Sequence, residues 1–400
     1  LHSALKAGAD QIYFGINSFN MRARKSQNFT LRDIKKIAKI CKDSGVRSSL
    51  TLNTVVFDKE LDLLHQVVDT AFRHGISAVI ASDMAVLSYC RSIGMSAHLS
   101  TLVNIANIES VKFYSVFSDV MVLARELTLQ QIKSICEQIQ TENIRGPSGN
   151  LVQVEVFAHG ALCVAVSGKC YMSLSTFNSS ANRGACIQNC RRRYRVIDED
   201  SGNELVLENR YVMSPRDLLT VHMLKELTEA GVSVLKLEGR ARKAEYVYTV
   251  TAVYREALNA LTDGTYSQKR VGEWIERLKT VYNRGFWEGG YYLGSDVKVW
   301  SGINGTAAKK KKKYIGVVQK YFGKAKISEI LLEAGTLKLG DEVIITGTTT
   351  GFVHSKVESI YLDKNPVQQA GKGAIITVPV SEKVRPKDKL FLFLERKVNR

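Results

Sequence analysis

The sequence predicts an α/β protein: a (β/α)8 TIM-like barrel over residues 1–305 and a small β-barrel over 314–400. Three observations lead there. Through the first 300 residues, short apolar runs alternate with amphipathic helical stretches, the pattern of βαβ units on a parallel sheet. Several helical stretches end on a glycine just ahead of the next strand, at Gly8, Gly45, Gly75, Gly94 and Gly231, which is helix C-cap chemistry at the same point of each unit. From Tyr314 onward the pattern changes to short strands and turns, as in a small closed sheet.

Taken in order, the strands are expected at 11–15, 47–53, 78–82, 96–100, 120–125, 152–158 and 232–238. Helices are expected at about 31–44, 60–74, 84–92, 107–116, 128–140 and 216–230, then at 244–261 and 271–282. A helix opens the chain, so a first strand ahead of residue 1 would bring the strands to eight, which favours a closed barrel over an open sheet. Residues 194–212 alternate as a hairpin around Asp200-Ser201-Gly202-Asn203. A passage rich in glycine and aromatics follows at 284–294. Residues 306–313 end in AAKKKKK, lack apolar periodicity and read as a basic linker.

Hydrophobic content of 45% and charged content of 24% belong to a globular chain with a sizeable core. No apolar run approaches the ~20 residues that span a bilayer, and the opening residues lack the layout of a signal peptide, so a cytoplasmic location is expected. The net charge is +17. Residues 306–400 hold nineteen Lys and Arg against nine Asp and Glu, so a surplus of ten lies in the last quarter. Such a surface attracts polyanions, of which nucleic acid is the commonest; general solubility is the plainer explanation.

The stretch 155–195 concentrates the chemistry. It carries Cys163, Cys170, Cys186 and Cys190, spaced C-x6-C-x15-C-x3-C. Cys41, Cys90 and Cys136 stand alone in amphipathic segments and read as buried small hydrophobes. A secreted disulfide scaffold would be shorter and denser in cysteine. Zinc sites usually pair their ligands two to four residues apart, which only Cys186 and Cys190 approach. The wide spacing suits an iron–sulfur cube better; zinc and unliganded or redox-active thiols are the alternatives. No H-E-x-x-H or G-x-S-x-G motif occurs. His159 precedes Cys163 by four residues, but a thiolate committed to iron is no nucleophile. Arg191, Arg192 and Arg193 follow the last cysteine, with Tyr194 and Arg195 behind them. Guanidinium groups grip phosphates and stack on bases; a charged surface strand is the plainer reading.

In a barrel of this kind, functional groups sit at the C-terminal strand ends. The polar residues there are Asn20, Arg22, Asn53, Ser100, Thr101, Arg125, Glu126, His159, Glu238 and Arg240. Arginines and asparagines around a tube of strands suit an anionic small molecule, while solvation and ion pairing at strand ends is the bland alternative.

At these residues the chain resembles the collagenase-like peptidase family U32. The match runs through Glu155, Phe157, Gly160-Ala161-Leu162-Cys163, Gly168, Cys170, Met172-Ser173, Asn182-Arg183-Gly184-Ala185-Cys186 and Cys190-Arg191. It resumes at 234–240 (VLKLEGR) and at Glu245-Tyr246-Val247, and upstream at 7–10, 13–15, 19–20, 51–54 and 125–127. The family is named for proteolysis, yet its better understood branches resemble RNA or quinone hydroxylation factors with four-cysteine clusters. The cysteine pattern here is similar to the RNA-hydroxylating branches, whereas the quinone proteins place their ligands differently. The resemblance implies a 4Fe-4S cluster on Cys163, Cys170, Cys186 and Cys190, and a tRNA whose wobble uridine becomes 5-hydroxyuridine in a prephenate-dependent reaction, with a possible electron donor. Arg22, Arg125 and Arg240 are then candidates for the dicarboxylate, with Asn20, Asn53, Glu126, His159 and Glu238 placing substrate. A peptidase, or a ribosomal-RNA hydroxylation or RNA-binding factor, are the alternatives. The C-terminal segment is similar to the second, β-barrel domain of translation elongation factors.

Overall fold

The computed structural model describes residues 1–23, 28–195, 197–202, 214–287, 301–303 and 305–396. The first half alternates helix and strand: α1 (His2–Lys6), β1 (Gln11–Phe14), α2 (Ile34–Asp43), β2 (Arg47–Leu52), α3 (Leu61–Arg73), β3 (Ala78–Ala81), α4 (Met84–Ser92), β4 (Ala97–Leu99), α5 (Ile108–Ser115), β5 (Val120–Val122), α6 (Leu129–Thr141) and β6 (Gln153–Ala161). After the cysteine-bearing loop, with its short helix α7 (Met172–Phe177), come β7 (Asp217–Leu219), α8 (Leu224–Glu229), β8 (Val234–Leu237), α9 (Ala244–Thr262), α10 (Gln268–Thr280) and β9 (Phe286–Trp287).

All seven expected strands form, and they pair in parallel in the order β1-β2-β3-β4-β5-β6-β8. Helices α2, α3, α4, α6, α9 and α10 bury apolar stripes in the core they share with this sheet. In α2 the buried residues Ile34, Ile37, Ala38 and Cys41 recur at helical spacing, so the lone cysteines are core, as expected. Burial pushes the Cys90 thiol up to about 12 and the Cys136 thiol to about 11. Among the described residues no helix is long and apolar enough to cross a membrane.

One expectation needs correction here. Among the described residues the ladder is open between β1 and β8, where Tyr13 reaches across with its hydroxyl 3.4 Å from the Leu237 carbonyl oxygen. The helix expected at 216–230 begins only at Leu224, because Asp217–Leu219 is drawn into the sheet. It lies antiparallel to the end of β6 and parallel to β9; pairing with a distant partner overrides local propensity. The hairpin expected at 194–212 and the passage at 284–294 lie mostly outside the described residues.

The C-terminal module is antiparallel. Its strands are β10 (Lys310–Phe322), β11 (Ile327–Leu332), β12 (Thr336–Lys338), β13 (Glu342–Gly347), β14 (Gly351–Lys356), β15 (Ile360–Leu362), β16 (Asn365–Val367), β17 (Gln369–Gly371), β18 (Ile375–Pro379) and β19 (Lys389–Glu395). The main sheet runs β14-β13-β19-β10-β11-β18-β15-β16, with β12 and β17 paired apart. The lysine run expected as a linker is, from Lys310 on, the start of β10, paired with β19. Lys310 and Lys312 lie over the rings of Phe393 and Phe391, at 5.0 and 4.7 Å, and pair with Glu342 and Glu245. Cations thus fill places that an apolar pattern would have marked.

The two modules touch. Lys6 Nζ donates to the Phe352 carbonyl (2.8 Å), and the Tyr248 and Phe352 rings lie 5.0 Å apart.

Two buried histidines give the fold an acid limit. Burial holds His98 of β4 down to about 4 and His159 of β6 down to about 3. An unfolded histidine titrates near ~6.5. As pH falls below that value, the unfolded chain takes up protons that the native chain refuses, so stability falls toward the native values. The slope from the pair reaches about 2.7 kcal/mol per pH unit near pH ~5. Urea unfolding between pH ~7 and ~4.5 measures it, and His98→Leu is expected to remove roughly half of this contribution. An unchanged slope in that variant would refute the assignment.

Candidate functional site

The C-terminal ends of the parallel strands converge on a cavity of about 160 Å³. Thr51 and Asn53 reach it from the end of β2, and Ser100 and Thr101 from the end of β4. On the cationic side stand Arg22, Arg125, Lys236 and Arg240, with Glu238 as the carboxylate. Asn53 Nδ2 donates to Ser100 Oγ at 3.1 Å. Arg240 is held at both ends: its amide donates to Glu238 Oε1 and its guanidinium to Asn20 Oδ1, each at 2.9 Å. Arg125 lies over the Phe157 ring at 4.6 Å.

Below these groups Lys236 and Glu155 form an ion pair of 3.1 Å with both side chains buried, and the ammonium stands 4.8 Å from the Tyr13 ring centre. Burial by itself would raise the Glu238 carboxyl, but Arg22, Arg240 and the Arg240 amide hold it below its ordinary value.

The cysteine loop roofs this cavity because β6 overruns its neighbours. Glu155–Phe157 and His159 pair with β8 across a register shift, and His159–Ala161 run on beside β7. Gly160 permits the close passage at that point: its φ is +118°, and a β-carbon there would stand 2.8 Å from Glu238 Cβ. Cys163, Cys170, Cys186 and Cys190 all line the cavity. None is in a disulfide; Cys163 is exposed and the other three half-buried. The Cys170 amide donates to Asn182 Oδ1 at 3.4 Å, and the Met172 amide to Cys170 Sγ at 3.4 Å. Burial raises the Cys190 thiol, and the Arg191 guanidinium pulls the other way. Among the described residues no three of His, Cys, Asp and Glu stand close enough to share one metal ion.

Of the residues singled out in the sequence, Arg22, Asn53, Arg125, Glu238, Arg240 and the four cysteines therefore meet in one place. Asn20 is fully buried just outside it and positions Arg240. Glu126 is half-buried and is not among the cavity-lining residues. His159 faces away, among Tyr246, Tyr254 and Phe286, with the Tyr254 hydroxyl 3.4 Å from Nδ1; it is a core histidine. The three arginines after Cys190 divide. Arg191 turns inward and donates to Ser214 Oγ (2.9 Å), the Pro215 carbonyl (2.7 Å) and the Leu162 carbonyl, tying the two ends of the loop together. Arg192 and Arg193 are exposed.

Sequence reasoning missed Lys236, whose signal was a single cation inside the apolar run VLKL. It also missed Asn189, a buried residue bonded to Ser173 Oγ, the Met172 carbonyl and Thr176 Oγ1.

Residues 1–301 match the model of peptidase family U32. A protein named collagenase from Porphyromonas gingivalis is 53% identical over 396 residues, covering 99% of this chain and 95% of its own length. The tRNA hydroxylation protein P1 of Bacillus subtilis is 29% identical over 71% of this chain and 66% of its own. The 23S rRNA 5-hydroxycytidine C2501 synthase of Escherichia coli is 34% identical over 65% of this chain and 38% of its own.

Proposed function

Because the chain belongs to peptidase family U32, we propose that it is an RNA-modifying enzyme that hydroxylates the wobble uridine of tRNA. The observation that carries this reading is the meeting of four free cysteines and three arginines on one small cavity at the strand ends. Cys163, Cys170, Cys186 and Cys190 would hold a 4Fe-4S cluster. The amide donated to Cys170 Sγ suits a thiolate ligand. When bound, the cluster supplies one-electron chemistry or structural support.

The chain's own residues do the rest. Arg22, Arg125 and Arg240 bind the carboxylates of a small co-substrate such as prephenate. Asn53, Ser100 and Thr101 offer hydrogen bonds from the opposite wall. Glu238 stays ionised and fixes the Arg240 amide. We read the scaffold as a (β/α)8 barrel, in which the slot of about 870 Å³ flanked by β1, β8 and α9 is the place of an eighth strand. The basic C-terminal module would hold the RNA backbone, so tRNA affinity should fall ~10³-fold or more between ~50 and ~200 mM salt if about six phosphates are contacted.

Peptidase activity is the second reading, favoured by the 53% identical relative named collagenase. Two features weigh against it: among the described residues no histidine lines the cavity, and its carboxylate Glu238 is held ionised by arginines, which makes it a weak general base.

The test is mass spectrometry of tRNA nucleosides with and without the gene, paired with iron analysis of protein purified without air. Loss of 5-hydroxyuridine on deletion, and of iron in Cys163→Ser/Cys170→Ser, is expected. Peptide cleavage that persists in that double variant, with an unchanged nucleoside profile, would establish the peptidase reading instead.

A further inference from the structure

The outer face of the cysteine loop carries an unusual combination of groups. From Cys163 through Arg195 the sequence has six Lys and Arg and no Asp or Glu. Large apolar side chains stand out from the same stretch: Tyr171 is 73% exposed, with Val166 and Phe177 also exposed. The neighbouring loop after β2 adds exposed Phe57 and Val55.

Hydrogen bonds tie the two loops together. The Cys170 amide bonds Asn182, the Asn182 carbonyl receives the Val55 amide at 3.4 Å, and Arg183 reaches the Val55 carbonyl and Glu60. Guanidinium groups already lie over two of the rings: Arg183 over Phe57 at 4.3 Å and Arg192 over Phe177 at 4.7 Å. Exposed rings beside the exposed Lys169, Arg192 and Arg193 are poor material for a protein core. They are what a single strand of nucleic acid uses: bases stack on the rings while phosphates meet the cations. A duplex, with its bases already stacked, cannot use the rings.

We propose that this face, centred on Tyr171 and Phe177, is a stacking platform for unpaired RNA bases, resting on the RNA-modifying reading above. Tyr171 adjoins Cys170, which lines the cavity. A strand laid across the platform therefore brings one base to the mouth while its neighbours stay stacked outside. Arg192, Arg193 and Lys169 hold its phosphates.

The experiment measures binding of a labelled oligouridylate to the full chain by fluorescence anisotropy, with an RNA duplex of equal length and a Gly-Pro-rich collagen-like peptide as comparisons. Oligouridylate is expected to bind more tightly than duplex. Tyr171→Ala/Phe177→Ala should weaken it by about 10- to 100-fold with the salt dependence unchanged, because the phosphate contacts remain. Tyr171→Trp/Phe177→Trp should bind like wild type, which separates lost stacking from a misfolded loop. Equal affinity of wild type and the alanine variant for oligouridylate would overturn the proposal. So would a peptide that binds wild type and is lost in the alanine variant while oligouridylate is not.

The two readings fail separately. If 5-hydroxyuridine depends on the gene and the alanine variant restores it fully, the platform falls and the enzyme stands. If the nucleoside profile is independent of the gene but oligouridylate binding needs the two rings, the platform stands and the hydroxylase falls.

Discussion

Glu155→Leu is expected to destabilise the chain by about 3–5 kcal/mol, the cost of leaving one partner of a buried pair uncompensated. Lys236 and Glu155 are both shielded from solvent, and each is the other's ion-pair partner at 3.1 Å. Removing the carboxylate strands an ammonium between the Tyr13 and Phe157 rings, which soften its position without neutralising it. The double variant Glu155→Leu/Lys236→Met should recover most of the loss, because two apolar groups of similar size need no partner. Urea denaturation of the three proteins checks this; a single-variant cost below ~1 kcal/mol would remove the pair from the account of stability.

Gly184→Ala should separate loop from scaffold. Gly184 has φ +80°, and a β-carbon there would overlap the Asn20 carbonyl oxygen and touch Ala23. The left-handed backbone alone costs an alanine about 1–2 kcal/mol, and the overlap with a carbonyl cannot be relieved by turning a side chain. The loop must lift from the turn carrying Asn20 and Arg22, taking Cys186 with it. Iron per chain after anaerobic reconstitution is expected to drop to less than half, with the far-ultraviolet circular dichroism of the sheet unchanged. Full iron content in this variant would show that the loop does not need its seat on that turn.

The parallel sheet was legible in sequence because burial on both faces leaves near-continuous apolar runs such as AVIA at 78–81, and because glycine caps punctuate the helices between them. The cysteines were legible because sulfur has few uses. His159 was not legible: a strand-end position is shared by residues pointing to the cavity and residues pointing to the core, and the register shift between Phe157 and His159 decides between them. Arg191 was misread for a related reason, since a run of like residues conceals that one turns inward. Lys236 stayed hidden because an internal cation is recognised by its partner, and Glu155 lies 81 positions away. The lysine run failed as a linker because β-pairing of Lys310–Lys313 with residues 392–395 is invisible to local periodicity.

That alternation along β10 changes what a polyanion would meet. Lys310 and Lys312 have side chains only 16% and 18% exposed and have acidic partners of their own, whereas Lys311 and Lys313 point to solvent. Letter-counting therefore overstates the electrostatic reach of this edge by about a factor of two. Any counterions displaced here come from every second position, a ruled line of charge at roughly 6.6–6.8 Å intervals set by the pleat rather than a diffuse cloud.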